Sequence, residues 1–290
     1  MFSYYAVKFL SCLICLLPHG AAMMLGQGLA RLAWIFVPKK RKTLAREQVM
    51  RCLPVSAAEA ERIARASSLR FGPMLMEVLR FPVMKGRMDD YVTITGAIAE
   101  VRAAVAAGKG AIFATSHSGN WELMGGAFAC AGLPIVGVAK RQSAAGMDRF
   151  INEYRALVGM HITYQTGVRE MFRMIDAGWI IGLISDQDPS LRDGIIIDFF
   201  GQPTNAFTGA AAIARRCGVP IFPVFIHREE SGHHILTVEL GIMVEKTDDR
   251  TEDVRRVTQT INTRIEQWIR KYPEEWFWLH DRWKSLREEQ

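Results

Sequence analysis

The chain has 290 residues, 49% of them hydrophobic, enough for one large core or two small ones. A charged fraction of 23% excludes a disordered chain, and the mean hydropathy of +0.06 is high for a purely soluble enzyme. A formal charge of +6 points to an anionic partner (nucleic acid, anionic lipid or an acidic carrier protein) without choosing among them; a plain excess of solvated Lys and Arg gives the same number.

The first 37 residues are nearly all apolar. Residues 2–17 carry only Lys8 and residues 21–37 only Arg31, with Pro18-His19-Gly20 between them. The first run is close to the lower limit of about 17 residues for a spanning helix. It lacks a basic start and a small-residue cleavage site, which argues against a removed signal. Lys39-Lys40-Arg41-Lys42 follows, and a basic cluster after an apolar segment marks a cytoplasmic side. Residues 1–38 therefore read as a membrane anchor, spanning or interfacial, with a buried helical hairpin as the alternative. Residues 39–290 read as one cytosolic domain, since no repeat or low-complexity linker divides them. Cys12 and Cys15 lie inside the apolar run, and the odd total of five cysteines fits a reducing compartment.

Residues 39–51 are a basic helix candidate. Ser56-Ala57-Ala58-Glu59 is a capping box that opens a helix to about Phe81, with Pro73 set to kink or split it. Beyond residue 90 short apolar runs alternate with amphipathic ones. The pattern predicts strands at 111–115, 134–139, 161–164, 179–184, 195–200, 219–226 and 234–240. It predicts helices at 97–108, 120–130, 147–158, 167–177, 206–217 and 250–271. Short buried strands between helices mean an α/β sheet covered on both faces. Glu230-Ser231-Gly232 reads as a hairpin turn. The tail from Pro273 to His280 is unusually aromatic.

In such a sheet reactive groups collect at the carboxyl ends of strands. Two polar clusters fall there: His117 with Glu122, and Asp186-Gln187-Asp188. In Ser116-His117-Ser118-Gly119-Asn120-Trp121-Glu122 the carboxylate can fold back toward the imidazole across a tight loop. A carboxylate on one ring nitrogen fixes the tautomer and raises the basicity of the other. That nitrogen can take a proton from an alcohol attacking an acyl thioester, and backbone N–H groups near Asn120 can hold the oxyanion. The plainer account is a satisfied loop His and a Glu favoured by a helix dipole. The chain has no G-x-S-x-G elbow, no G-x-G-x-x-G and no Walker phosphate loop. His233-His234 lacks the companions of a zinc site, and Asp186 and Asp188 are a weak metal signal beside ordinary capping.

The block from Gly110 through His117-Ser118-Gly119-Asn120-Trp121-Glu122 resembles the His-x-x-x-x-acid block of the bacterial lipid A biosynthesis late acyltransferases. Further segments resemble that family in order: Arg155 to Gly159, Asp186-Gln187-Asp188, Phe199-Phe200-Gly201-Gln202-Pro203, and Pro273 to Trp283. The resemblance covers residues 40–285. It implies a glycerolipid-acyltransferase-like mixed sheet flanked by helices, an N-terminal membrane anchor, and residence at the cell inner membrane facing the cytoplasm. It implies acyl-carrier protein as donor, a phosphorylated glucosamine lipid as acceptor, and no cofactor, metal or nucleic acid. Carried across, His117 is the base, Glu122 its partner, and Arg155 holds the oxyanion or an acceptor phosphate. Asn120, Lys140, Arg141, Asp186 and Gln187 are the expected substrate-binding residues. Lys140 stands where the family favours Arg, so a point charge replaces a bidentate fork there. The basic stretch 39–51 would attract anionic headgroups or the acidic carrier. Trp276, Trp278 and Trp283 would sit either at a membrane interface or in the core. The rival acceptors are a phosphatidylinositol mannoside, a glycerophospholipid or an aminoacyl lipid. A rival of another class is a non-catalytic basic adaptor binding anionic lipid or nucleic acid, which predicts salt-sensitive binding.

Overall fold

The computed structural model describes residues 2–288. Helices α1 (Phe2–Leu16) and α2 (His19–Phe36) form a hairpin broken at Pro18. Helices α3 (Lys39–Cys52), α4 (Ala57–Leu69), α5 (Phe71–Leu79) and α6 (Phe81–Met84) follow, then a 3-10 turn at Lys85–Asp90. The Ser56 hydroxyl accepts from the Glu59 N–H at 3.2 Å and starts α4. The helix breaks at Arg70, three residues before Pro73. A proline ring clashes with the carbonyl four residues back, at Leu69, and is tolerated only in the first turn of a new helix.

The remainder alternates: β1 (Val92–Gly96), α7 (Ile98–Ala106), β2 (Ala111–Thr115), α8 (Trp121–Cys130), β3 (Ile135–Ala139), α9 (Ala145–Leu157), β4 (His161–Tyr164), α10 (Val168–Asp176) and β5 (Ile180–Ile184). A hairpin of β6 (Gly194–Phe199) and β7 (Gln202–Phe207) precedes α11 (Gly209–Cys217), β8 (Ile221–Arg228), β9 (His234–Val238), α12 (Arg250–Lys271), a 3-10 turn at Pro273–Glu275 and α13 (Lys284–Glu288). Seven strands form one mixed sheet in the order β1-β9-β8-β2-β5-β3-β4. All neighbours are parallel except β8 and β9, which the Glu230–Gly232 turn makes antiparallel. β2 is buried along its whole length, as a central parallel strand must be. One face of the sheet packs on α3, α4, α10, α11 and α12, the other on α5, α8 and α9.

Two strands depart from the sequence expectation. β1 is a short edge strand whose half-polar residues hide its pairing with β9. β7 occupies the start of the stretch predicted as helix 206–217. Phe200 (φ 55°) and Gly201 (φ 72°) make the two-residue turn that folds β7 onto β6. A phenylalanine at positive φ is strained, and burial of its ring together with its N–H bond to Glu266 Oε2 (2.7 Å) holds it there.

The N-terminal apolar segment, expected as an anchor that spans or lies on a membrane, is a helical hairpin packed on the domain. No single described helix is long and apolar enough to cross a membrane; α2 and α3 meet that test only together, and they are bent by 106°. Helix α1 packs on α9 and α2 on α5. Gly26 and Gly72 let α2 and α5 cross so closely that a Cβ on Gly72 would lie 2.0 Å from the Gly26 carbonyl. The buried Ser11 hydroxyl bonds the Leu79 carbonyl (2.5 Å) and Tyr154 (2.6 Å), and Arg80 caps the carbonyls of Ile14 and Leu17. The outer face of the hairpin stays apolar: Phe9 and Leu16 are 66% and 81% exposed, and Met24, Leu32, Ile35 and Phe36 are exposed too.

Candidate active site

The loop after β2 carries His117 and the loop after β5 carries Asp186. The two strands are parallel neighbours with Thr115 opposite Ile184. That register, continued two residues past each strand end, sets His117 beside Asp186. The imidazole Nδ1 lies 2.8 Å from Asp186 Oδ1, and the His117 backbone N–H donates to Oδ2 at 2.9 Å. The Trp276 indole N–H donates to the same oxygen at 2.7 Å. Burial pushes the Asp186 carboxyl up, but the His117 charge and hydrogen bonds, with the indole N–H, reverse this and hold it at about 2. An ionised carboxylate only accepts, so Nδ1 carries a proton and Nε2 is turned to the side away from Asp186.

The loop is held from below. Gly119 has φ 59°, and a Cβ there would lie 2.1 Å from the Ile226 carbonyl, so only glycine fits. Half-buried Arg70 donates to the carbonyls of Gly119 (2.5 Å) and His117 (2.9 Å); desolvation lowers its guanidinium to about 10, still charged at neutral pH. Asn120 caps α8 by accepting from the Leu123 N–H at 3.0 Å, and its amide donates to Glu77 Oε2 at 2.8 Å. Glu77 is itself buried with His234 (2.9 Å) and Arg228 (2.5 Å). Burial alone would raise this carboxyl; its hydrogen bond with His234 and the neighbouring charges bring it below its usual range. Asn120, expected among the substrate-binding residues, thus ties the loop to α8 and to Glu77.

The sequence expectation that Glu122 folds back onto the imidazole is corrected. Glu122 takes a bidentate ion pair from Arg155, with Nε to Oε2 at 2.8 Å and Nη2 to Oε1 at 2.6 Å. Glu122 starts α8 and Arg155 ends α9, and the guanidinium fork matches the carboxylate in a nearly dry setting. Burial lowers the Arg155 guanidinium, and Glu122 more than reverses that. The same pair occupies the donors that were to hold an oxyanion or phosphate; Arg155 Nη1 makes one long bond to Asn152 at 3.3 Å. Asp186, expected to bind substrate, stands instead behind the imidazole.

Gln187 meets His117 Nε2 through its side-chain amide at 3.5 Å. Trp121 stands edge-on to the imidazole, ring centres 5.1 Å apart. Lys140 and Arg141 lie exposed beyond β3; Lys140 borders the cavity below, and Arg141 packs its guanidinium over Tyr164 at 4.6 Å. Asp188 turns away, binding the Ser285 N–H and hydroxyl at 2.6 and 2.7 Å. Trp276, Trp278 and Trp283 are buried, which places the aromatic tail in the core. Gln48 of α3 straps that tail down through the carbonyls of Trp278 and His280, both at 2.8 Å.

His117, Trp121, Glu122, Lys140, Arg155 and Gln187 all line one cavity of about 990 Å³. Its walls are mainly apolar, from Val78, Phe113, Phe128 and Ile135 to Met160 and Ile213. An imidazole lining a largely apolar cavity of this size suits a site for a lipid chain. Among the described residues no group of three or more His, Cys, Asp and Glu gathers to hold a metal.

The profile of a family described as "Bacterial lipid A biosynthesis acyltransferase" matches residues 1–285. A phosphatidylinositol mannoside acyltransferase of Mycobacterium tuberculosis (strain CDC 1551 / Oshkosh) is 30% identical over 251 residues, 84% of this chain and 76% of the relative. Its counterpart in Mycolicibacterium smegmatis is 30% identical over 228 residues, 76% of this chain and 72% of the relative. A lipid A biosynthesis lauroyltransferase of Escherichia coli K12 is 22% identical over 276 residues, 94% of this chain and 88% of the relative. A crystal structure of the 1-acyl-sn-glycerophosphate acyltransferase PlsC from Thermotoga maritima superposes with a TM-score of 0.36 at 12% identity, over 78% of this chain and 94% of that one. With the family profile spanning residues 1–285, the chain belongs to the bacterial lipid A biosynthesis acyltransferases.

Proposed function

We propose that the protein transfers a fatty acyl chain from an acyl-carrier protein thioester to a hydroxyl of a phosphorylated glycolipid, with His117 as general base. The observation that carries this reading is an imidazole fixed by Asp186 at 2.8 Å and lining a largely apolar cavity of about 990 Å³. The acceptor hydroxyl gives its proton to His117 Nε2 as its oxygen attacks the thioester carbonyl carbon. The tetrahedral oxyanion collects donors from the start of α8, where the Trp121 and Glu122 N–H groups have no intrahelical acceptor, and from the Gln187 amide. The C–S bond then breaks, and the imidazolium returns its proton to the departing sulfur. No covalent enzyme intermediate is needed. Asp186 stays ionised throughout and stabilises the imidazolium, while Glu122 and Arg155 brace the cavity wall.

Lys140 and Arg141 at the rim supply positive charge for the acceptor phosphate. The exposed apolar face of α1 and α2, beside the basic start of α3 (Lys39 to Lys42), supports attachment to the cytoplasmic face of an inner membrane. The block His117 to Glu122 and the family profile favour a lipid A precursor as acceptor. A second reading, a phosphatidylinositol mannoside, is favoured by the 30% identity of the two mycobacterial relatives against 22% for the lauroyltransferase. Purified protein in detergent, given a radiolabelled acyl-carrier thioester and each acceptor in parallel, tests both. Label on either glycolipid supports the proposal and names the acceptor; no label on either, with a donor competent for a control transferase, contradicts it. Family membership weighs against the adaptor reading, which predicts salt-sensitive lipid or nucleic-acid binding without transfer.

A further inference from the structure

Phe113 of β2, Gly182 of β5, Gly137 of β3 and Ile162 of β4 stand in one row across the sheet. In-register neighbours project to the same face, here the face covered by α8. Two missing side chains in the row leave a trough between Phe113 and Ile162, and all four residues border the cavity that His117 lines. Helix α8 adds another glycine, Gly125, one turn or about 6 Å beyond Trp121, whose ring meets the imidazole. The trough thus belongs to the cavity that the imidazole lines.

Met160 enters the trough from the turn before β4. A Cβ on Gly125 would lie 2.8 Å from both its Sδ and Cε, and one on Gly137 would lie 2.5 Å from Cε. The thioether fills the space that these glycines leave empty. At Gly182 the trough is open: a Cβ there would meet only the Val136 carbonyl, at 3.6 Å. Glycine weakens a strand interior, and at Gly182 no side chain of the protein takes the space it leaves, so that stretch of the floor is free for a bound chain. Methionine is unbranched and flexible, suited to ending an apolar channel.

We infer that Met160 is the stop of an acyl channel floored by Gly182 and Gly137, and that it sets the length of the chain the enzyme accepts. This rests on the acyltransferase reading above. Shortening the stop lengthens the channel, and filling the floor shortens it. Each methylene newly accommodated is worth about fourfold in affinity.

The test measures binding of saturated fatty acids from ten to eighteen carbons by displacement of a fluorescent fatty acid. It uses the full chain as wild type, Met160→Ala, Met160→Leu and Gly182→Val, with thermal unfolding to show that each is folded. Transfer from carrier thioesters of the same lengths is measured alongside. Met160→Ala is expected to move the preferred length up by about two to four carbons, Gly182→Val to move it down, and Met160→Leu, of similar volume, to leave it unchanged. One length profile shared by all four folded proteins overturns the inference. Transfer by a wild type that binds no free fatty acid overturns the channel and leaves the acyltransferase reading standing. Shifted binding with no transfer keeps the channel and overturns that reading.

Discussion

Asp186 is the residue whose chemistry is most sharply set by its neighbours. The change Asp186→Asn keeps the size but presents an amide that can donate to Nδ1, which turns the imidazole to the tautomer with Nε2 protonated. We expect kcat to fall by about 10²–10⁴ with little change in KM. The same residue ties stability to pH. Its folded pKa of about 2 lies below the ordinary 3.8, so its contribution is complete above pH 3.8 and is lost as pH falls through 2. Unfolding temperatures of wild type and Asp186→Asn should converge between pH 4 and 2, the mutant curve being the flatter; parallel curves would count against an ionised, buried partner. The Glu122–Arg155 pair makes a different claim. Removing either partner strands a buried charge, and Arg155→Ala should cost about 3–5 kcal/mol in denaturant unfolding. The double change to a matched apolar pair should recover most of that stability, which an independent catalytic Glu122 gives no reason to expect.

At the scale of elements, much of the frame was legible in the sequence. The strand at 111–115 and the helix at 250–271 lie where the pattern put them, because the first is a buried apolar run and the second a strongly amphipathic one with clear ends. The edge strand β1 was not legible, since half its residues face solvent, nor was β7, whose Pro203 reads against a strand. Within the site, His117 could be placed at a strand end, but its partner could not. Spacing along the chain favoured Glu122, whereas the adjacency of β2 and β5 selected Asp186, and strand order is a tertiary fact. One late signal was present: both residues lie at carboxyl ends of buried strands, and a shared register would have paired them. The α2–α5 crossing carries its own prediction. A methyl group on Gly72 would meet the backbone of Gly26, so Gly72→Ala should destabilise by about 1–3 kcal/mol in denaturant unfolding, although alanine favours an isolated helix.

Over the whole molecule, the proposed membrane-facing surface is the apolar outer face of the helical hairpin beside the basic start of α3. Phe36 is 76% exposed on the outer face of α2. If that face seats in a bilayer, Phe36→Glu should weaken binding to anionic vesicles about tenfold in a sedimentation assay while leaving the unfolding temperature unchanged. Undiminished binding would mean that another surface meets the membrane. The buried tryptophans of the tail lie on the other side of the account: they support Asp186 and the sheet, not the membrane. The most direct measurement is acyl transfer from a radiolabelled carrier thioester to a glycolipid acceptor by wild type, His117→Ala and Asp186→Asn, each shown to be folded. The His117–Asp186 account predicts transfer by wild type and a loss of at least a hundredfold in both variants. Transfer by His117→Ala or Asp186→Asn at the wild-type rate would contradict it.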